Sequence, residues 1–318
     1  MSERKRISPA PPLARGAGGD FEALIFDLDS FAVHDGPGIR MAVYFKGCPL
    51  RCGWCHSPES QRAAPELIFV RERCALCGAC MAACEHGVHT VTPEDHTIDW
   101  AACQACGACA VACMRRALAI KGYRVTVEEL LAKAARLRPF FAQSGGGVTL
   151  TGGEVTMQAD FAAALLTGLR ELGIHTAIET CGACAWPELE RLAAGADLIL
   201  YDLKLMDDEA HRRWTGASNR QILENARRLA NLDASRVQIR LPLIPGITDT
   251  VANVAAIYGF MAEVGLRSVA LLPYNPAAGA KYEWLGQSYA IAGAPQSPAQ
   301  LEQLAALGRE AGLIVEVG

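Results

Sequence analysis

The second half of the chain alternates between short apolar runs and longer amphipathic segments. The apolar runs are typical of strands buried on both faces, and the amphipathic segments are typical of helices that cover a sheet. The predicted strands are 147–151, 175–180, 197–204, 236–243, 268–274 and 313–317. The predicted helices are 158–172, one beginning at Pro187, 219–232, 250–264 and 298–311.

This repeated order of strand, helix and strand predicts a parallel sheet and therefore the α/β class. A further helix is predicted over 127–138, with Thr126 as its N-cap and Glu128 and Glu129 in its first turn. Before it, two β-rich runs flank a turn at 34–40 whose Gly and Pro residues break regular structure.

Chemically distinctive residues follow the predicted strands at the points where they end. In a βα barrel these positions meet at one mouth, where the active site is built from the loops after the strands. The sequence therefore predicts a single site at this end of the sheet. The residues concerned are Gly152, Gly153, Glu154, Glu179, Cys181, Asp202, Lys204, Arg240, Tyr274 and Asn275.

Length and charge narrow the class of protein. The chain has 318 residues, enough for one barrel-sized domain with an insertion or for two domains. Its net charge of -4 offers no basic field for nucleic acid, and no apolar stretch is long enough to span a bilayer. Residues 1–20 are basic, rich in Pro, Gly and Ala, and are predicted to be a disordered leader without signal-peptide character. We expect a cytoplasmic protein with no nucleic-acid or membrane partner.

Thirteen cysteines, an odd number clustered in short motifs, indicate metal ligation rather than disulfides. Cys48, Cys52 and Cys55 form a C-x3-C-x2-C loop after an apolar run. Because three thiolates leave a coordination position open, the loop predicts a [4Fe-4S] cluster with one iron free for a small molecule. The alternative is a zinc site completed by His56.

Residues 62–122 contain an internal repeat of two four-cysteine runs. Each run has the spacing C-x2-C-x2-C-x3-C of bacterial two-cluster ferredoxins, and its Gly and Ala residues allow the backbone to approach inorganic sulfide. Zinc is again the alternative. The cysteines are Cys74, Cys77, Cys80 and Cys84 in the first run and Cys103, Cys106, Cys109 and Cys113 in the second.

The resemblance to ferredoxins implies that the fourth cysteine of each run ligates the other cluster. Glu85 and Met114 stand where ferredoxins have a proline after that cysteine. The implied ligand sets are Cys74, Cys77, Cys80 and Cys113 for one cluster, and Cys84, Cys103, Cys106 and Cys109 for the other.

From Leu24 to the C-terminus the chain resembles the radical S-adenosylmethionine (SAM) superfamily. Within it, the chain is similar to activating enzymes of glycyl radical enzymes that carry a ferredoxin-like insertion, such as the pyruvate formate-lyase activating type. Besides the two cysteine runs, the motifs that carry the resemblance are HDGPGIR (34–40), KGCPLRCGWCHSPES (46–60), FFAQSGGGVTLTGGE (140–154), HTAIETCG (175–182), YDLK (201–204), IRLPLIPGITD (239–249) and LLPYNPAAGAKYEWLG (271–286).

The resemblance implies a fold and three cofactor sites. The fold is a partial (β/α)6 TIM-type barrel with an inserted bacterial 2[4Fe-4S] ferredoxin-like domain. The barrel would begin at 21–61, be interrupted by the insertion at 62–122, and continue over 123–318. The cofactors would be SAM and three [4Fe-4S] clusters.

It also implies site residues. Cys48, Cys52 and Cys55 would hold the catalytic cluster, whose fourth iron would be chelated by SAM. The residues implied to contact SAM are Trp54, Cys55, His56, Gly152, Gly153, Glu154, Asp202, Leu203, Lys204, Arg240 and Asn275. Departures from the family pattern are Asn275 in place of His, Val155 in place of Pro, and Ser57 in place of Asn. Cys181 and Cys184 lie outside the motifs and are interpreted as buried structural cysteines.

The implied activity is reductive cleavage of SAM followed by hydrogen abstraction from a backbone glycine of a partner glycyl radical enzyme. The loop 34–40 would lie near that glycine, and flavodoxin or ferredoxin would supply electrons through the insertion clusters. Two alternatives are a radical SAM enzyme acting on a small molecule or peptide, and a non-catalytic iron-sulfur electron carrier.

Overall fold

The computed structural model describes residues 22–318, and the predicted leader at 1–20 lies outside them. This part of the chain contains thirteen strands. They are β1 Glu22–Ala32, β2 Arg40–Phe45, β3 Glu66–Phe69, β4 His89–Val91, β5 His96–Ile98, β6 Leu118–Lys121, β7 Tyr123–Thr126, β8 Gly147–Gly152, β9 His175–Thr180, β10 Leu198–Asp202, β11 Val237–Pro242, β12 Ser268–Leu272 and β13 Ile314–Val317.

Ten α-helices lie within the same residues. They are α1 Ala79–Ala83, α2 Ala108–Ala112, α3 Val127–Ser144, α4 Ala159–Glu171, α5 Trp186–Gly195, α6 Asp208–Thr215, α7 Arg220–Asp233, α8 Val251–Val264, α9 Ala278–Trp284 and α10 Pro298–Glu310. None of the helices between residues 22 and 318 is both long and apolar enough to cross a bilayer.

Nine strands form one sheet in the order β13-β12-β11-β10-β9-β8-β2-β1-β7. β2 and β8 to β13 are parallel to one another, whereas β1 pairs antiparallel with both β2 and β7. The predicted α/β class with a parallel sheet is confirmed. The parallel part has seven strands, one more than the six implied by the resemblance, because β13 extends the edge beyond β12.

The core lies between this sheet and its helices. In β8 the residues from Gly147 to Thr151 are all buried, as expected for a strand covered on both faces. α4 packs Phe161, Leu165 and Leu169 into the same apolar core. These residues recur at helical spacing. The apolar positions that predict the helix are therefore the ones that it buries against the sheet.

The helix α3 begins as predicted but extends past the predicted end at residue 138. Thr126 and Glu129 form a capping box at its start, and Gly145 ends it in the left-handed conformation. Pro139 lies inside the helix. Although a proline removes one helical hydrogen bond, burial of Phe141 beyond it in the main core favours continuation.

The segment that holds the two cysteine runs forms small sheets of its own. β3 pairs antiparallel with β6, and β4 pairs antiparallel with β5. The short helices α1 and α2 follow Gly78 and Gly107, which both adopt the left-handed conformation that glycine favours. The two runs therefore fold alike, in agreement with their repeated sequence.

Candidate functional site

The carboxyl ends of the parallel strands meet at a cavity of about 530 Å3. The loop after β2 brings all three cysteines of the C-x3-C-x2-C motif, Cys48, Cys52 and Cys55, to its wall. Backbone hydrogen bonds from Arg51 to Thr215 (2.7 Å) and from Gly53 to Trp214 (3.0 Å) fasten this loop to the end of α6. The loop is therefore held by the helix that follows β10, three strands away from β2 in the sheet.

Lys46, at the start of the cysteine loop, is fully buried and joins the two ends of the loop. Its Nζ donates to the backbone oxygen of Glu59 (2.6 Å) and to Oε2 of Glu66 (2.9 Å). Gln158 donates to the backbone oxygen of Lys46 (2.9 Å). Sequence reasoning missed Lys46, because its partners lie beyond the loop and no local pattern identifies them.

Gly152 and Gly153 bring the end of β8 into direct contact with the start of the cysteine loop. Gly153 N donates to the oxygen of Phe45, and the next amide donates to the oxygen of Gly47, both at 2.8 Å. A Cβ on Gly153 would lie 2.2 Å from the oxygen of Gly47, and Gly152 has a φ of 108°. Both positions therefore require glycine for close backbone approach. Both glycines also line the cavity.

Glu154 is fully buried and does not line the cavity. Its carboxylate accepts hydrogen bonds from the backbone and hydroxyl of Thr156, the hydroxyl of Thr180 and the backbone of Cys181, at 2.8 to 3.2 Å. These bonds tie the end of β8 to the end of β9. The structure thus gives this carboxylate a positioning role between two strands.

Asp202 and Lys204 form a pair at the end of β10, with Nζ 2.7 Å from Oδ2, and both side chains line the cavity. Burial disfavours the lysine charge, but the Asp202 carboxylate, together with Cys52 and Cys181, outweighs this effect and raises the pKa of Lys204. Leu203 points the other way, into the main core, as expected for alternate residues of a strand.

Arg240 on β11 lies across the same cavity. Its Nη1 is 3.4 Å from Oε1 of Glu179, and its Nη2 donates to the backbone oxygen of His34 at 3.3 Å. Nη1 is buried and makes no hydrogen bond with the residues described. Burial raises the pKa of Glu179, although Arg240 opposes the rise. A buried guanidinium with a free donor is suited to an anionic or hydroxyl ligand.

Aromatic residues complete the wall next to the cysteines. Trp54 and Tyr274 are buried and line the cavity, and His56 also lines it. Tyr282 donates to the backbone oxygen of Cys52 at 3.2 Å. Asn275 is exposed, does not line this cavity, and accepts a hydrogen bond from Ala277 in a local turn. Asn275 instead lines a neighbouring cavity, which it shares with His56 and Arg240.

The chemistry of the donor set fits an iron-sulfur cluster. Burial raises the pKa of the Cys52 thiol to about 12 and that of the Cys55 thiol to about 11. Since metal ligation requires thiolates, cluster binding must release these protons. The three thiols of the C-x3-C-x2-C loop lie in a cavity that Arg240 also lines, and they suit a cluster that leaves one position for a polar small molecule. Cys181 lines the same cavity but lies outside the loop.

The eight cysteines of the repeat group in the two sets implied by the ferredoxin spacing. Cys74, Cys77, Cys80 and Cys113 line one cavity of about 70 Å3. In the other set, burial and the neighbouring Cys103, Cys84 and Cys106 raise the pKa of Cys109 to about 12. In both sets the fourth member comes from the other run.

Comparison with known proteins identifies the family. The family model for the radical SAM superfamily matches residues 103–256. The choline trimethylamine-lyase activating enzyme of Oleidesulfovibrio alaskensis is 41% identical over 91% of this chain and 96% of its own length. The trans-4-hydroxy-L-proline dehydratase activating enzyme of Clostridioides difficile is 41% identical over 84% of this chain and 89% of its own length. The chain belongs to the radical SAM activating enzymes of glycyl radical enzymes.

A solved structure agrees with the fold of this activating enzyme. A radical SAM methyltransferase from Sphaerobacter thermophilus aligns with a TM-score of 0.54 over 98% of this chain and 77% of its own, at 15% identity. As a radical SAM protein, the activating enzyme uses SAM and a [4Fe-4S] cluster. Cys181, interpreted from sequence as structural, is buried as expected but also lines the cavity.

Proposed function

We propose that this activating enzyme cleaves SAM reductively and generates a radical on one backbone glycine of a partner glycyl radical enzyme. The observation that carries the proposal is the convergence of the three-cysteine loop, the glycine pair of β8 and Arg240 on one cavity at the strand ends. When bound, the cluster and SAM supply a 5'-deoxyadenosyl radical that abstracts the glycine hydrogen.

The residues around the cavity have distinct roles in this proposal. Cys48, Cys52 and Cys55 would hold the cluster, and their number leaves a position for SAM. The backbone of Gly152 and Gly153 would face the methionine part. Arg240 would bind a carboxylate or ribose oxygen. Its Nη1 supports this role, because it is buried and makes no hydrogen bond among the residues described.

The remaining predicted contacts divide by their positions. We propose that Trp54, His56, Asp202 and Lys204 contact SAM, because each lines the cavity. We propose positioning roles for the other three residues. Glu154 and Leu203 are buried outside the cavity, and Asn275 belongs to an exposed turn.

The partner's glycine would enter beside the loop between β1 and β2. Phe31 and Val33 are exposed there and line the cavity, with relative accessibilities of 52% and 60%. Arg40 is fully buried beneath the loop and donates to the backbone oxygens of Pro37 (3.2 Å) and Val148 (2.9 Å). This support would fix the position of the loop at the edge of the cavity where the partner's segment would enter.

We further propose that residues 62–122 form a ferredoxin-like domain with two [4Fe-4S] clusters. The cavity shared by Cys74, Cys77, Cys80 and Cys113 supports the exchange of the fourth cysteine between runs. Flavodoxin or ferredoxin would reduce these clusters. The cytoplasmic location expected from the sequence is part of the same proposal.

A panel of partner enzymes tests the function. The anaerobically reconstituted protein would be mixed with SAM, a reductant and each candidate in turn, including pyruvate formate-lyase, choline trimethylamine-lyase and hydroxyproline dehydratase. We expect a glycyl radical signal in electron paramagnetic resonance with one class of partner, and none when that partner's glycine is replaced by alanine. Absence of the signal with every glycyl radical enzyme, alongside active SAM cleavage, would instead favour a small-molecule or peptide substrate.

Replacing Arg240 with methionine should weaken SAM binding about tenfold to a hundredfold. A hydrogen bond to a charged group contributes roughly 1.5 to 3 kcal/mol, and about 1.4 kcal/mol corresponds to a factor of ten. Anaerobic titration calorimetry with SAM measures the change. Arg220→Met, at a side chain that is 83% exposed, is the matched control and should bind normally. Equal affinity in the two variants would remove Arg240 from the binding site.

A further inference from the structure

The two halves of the cysteine repeat differ at two buried positions. His96 and Leu67 occupy equivalent places before the first cysteine of the two runs, and His89 and Leu118 occupy equivalent places after the fourth. The strand registers agree, because His89 pairs with Ile98 in one small sheet as Leu118 pairs with Phe69 in the other. The small sheet of β4 and β5 therefore carries two histidines where the sheet of β3 and β6 carries two leucines.

His96 is buried against the first cysteine run. Its Nδ1 lies 3.4 Å from the Sγ of Cys74, and its Nε2 lies 3.8 Å from the Sγ of Cys80. It also lines the cavity formed by Cys74, Cys77, Cys80 and Cys113. His96 thus faces one of the two cysteine sets.

His89 holds the ring of His96 in place. The Nδ1 of His89 lies 3.0 Å from the Nε2 of His96, and both rings are buried. Phe69 packs on the other side of His96, with ring centroids 4.5 Å apart. The Nε2 of His89 has no hydrogen-bond partner among the residues described. Such a buried polar pair is retained at a cost, which a role beyond packing would explain.

The direction of the hydrogen bond follows from the chemistry of thiolates. A ligating thiolate can only accept, so the Nδ1 of His96 must carry the hydrogen that faces Cys74. Hydrogen bonds to the sulfurs of a cluster help to set its reduction potential. Because a donor stabilises negative charge on sulfur, it favours the reduced cluster. The equivalent Leu67 offers no donor.

We propose that His96, oriented by His89, is a positioning residue that raises the reduction potential of the cluster held by Cys74, Cys77, Cys80 and Cys113. This inference rests on the proposed two-cluster domain. It makes the two clusters unequal in potential although the spacing of their cysteines is identical. An electron that enters the domain is then held preferentially on the cluster beside His96.

A mononuclear metal is the competing interpretation, because Cys80, His89 and His96 place three ligand atoms within 4.8 Å of one another. Cys80 also belongs to the four-cysteine cavity, and His96 contacts Cys74 as well as Cys80. Ligation of a separate ion would remove Cys80 from a complete set of four thiols. These contacts favour the hydrogen-bonding role.

The variant His96→Leu tests the proposal because it reproduces the residue found in the other half of the repeat. His96→Asn keeps an N–H donor near the position of Nδ1, and His86→Leu makes the same substitution at an exposed histidine in the same segment. Each anaerobically reconstituted protein would be assayed for iron, sulfide and zinc. The clusters of the insertion would then be titrated by electron paramagnetic resonance at controlled potentials.

We expect His96→Leu to keep the iron content of the unsubstituted protein but to lower the midpoint potential of one cluster. At a fixed potential, the ratio of reduced to oxidised cluster should fall about tenfold, which corresponds to about 59 mV for one electron. His96→Asn should recover most of the loss, and His86→Leu should show none.

Three cubanes with unchanged potentials in His96→Leu would overturn this inference and leave the proposed function intact. A single cubane in the unsubstituted protein would overturn both the inference and the two-cluster domain. Zinc that is bound by the unsubstituted protein and lost in His96→Leu would also overturn both, because it would assign Cys80 to a mononuclear site.

Discussion

Replacing Cys52 with alanine is expected to abolish the cleavage of SAM. The cluster would lose one of the three ligands that the loop supplies, with Cys48 and Cys55 remaining. Cys181 also lines the cavity, but it lies at the end of β9, outside the C-x3-C-x2-C loop. The protein should also lose the iron and sulfide of one cubane while retaining those of the insertion. Release of 5'-deoxyadenosine under anaerobic, reducing conditions measures the activity, and iron analysis measures the cluster.

Cys184→Ala is the matched control for this prediction. Cys184 is half-buried, lies outside the cysteine motifs and does not line the cavity. Its replacement should leave SAM cleavage and iron content close to those of the unsubstituted protein. If Cys52→Ala still produced 5'-deoxyadenosine, the assignment of the catalytic cluster to this loop would be incorrect.

Replacing Lys46 with methionine should destabilise the fold by about 3 to 5 kcal/mol, the cost typical of breaking a buried ion pair by removing one partner. Lys46 and Glu66 are both buried, and without Lys46 the carboxylate would keep only the largely exposed Arg62, whose Nη1 is 3.6 Å from Oε1. The backbone oxygen of Glu59 would also lose its donor. Chemical denaturation of the anaerobically purified protein measures the change through its midpoint and slope.

Lys121→Met provides the comparison, because the Lys121–Asp27 pair lies at the surface with Asp27 56% exposed. Exposed pairs contribute about 0 to 1 kcal/mol, so this variant should be nearly as stable as the unsubstituted protein. The double variant Lys46→Met with Glu66→Met should recover part of the loss, since two apolar residues leave no unpaired charge. Equal stabilities of Lys46→Met and Lys121→Met would contradict a structural role for the buried pair.

The order of the barrel elements and the location of the site were predictable from the sequence. The runs 147–151 and 175–180 are short and lie between predicted helices, and both are strands of the parallel sheet. The polar residues that end these and the next strands meet because parallel strands place their carboxyl ends on one side. The spacing of the cysteines carries chemical information that does not depend on the fold.

Three features were not predictable because they depend on contacts distant in sequence or on very short elements. Glu154 has the charge expected of a ligand for a cationic cofactor, but Thr180 and Cys181 on the next strand turn its carboxylate inward. In the sequence Lys46 is only a charged residue next to a loop, because its partner Glu66 lies 20 residues further along the chain. The helix α6 is only eight residues long and mostly polar, so its sequence offers few apolar positions from which to predict a helix.

The most direct test of the proposed function follows the glycine hydrogen itself. A partner glycyl radical enzyme that responds in the panel would be prepared with deuterium on the Cα of its glycines, and 5'-deoxyadenosine would be analysed by mass spectrometry after one turnover. We expect one deuterium in 5'-deoxyadenosine, in proportion to the glycyl radical formed. Unlabelled 5'-deoxyadenosine accompanied by the glycyl radical would contradict direct abstraction by the radical formed at this site.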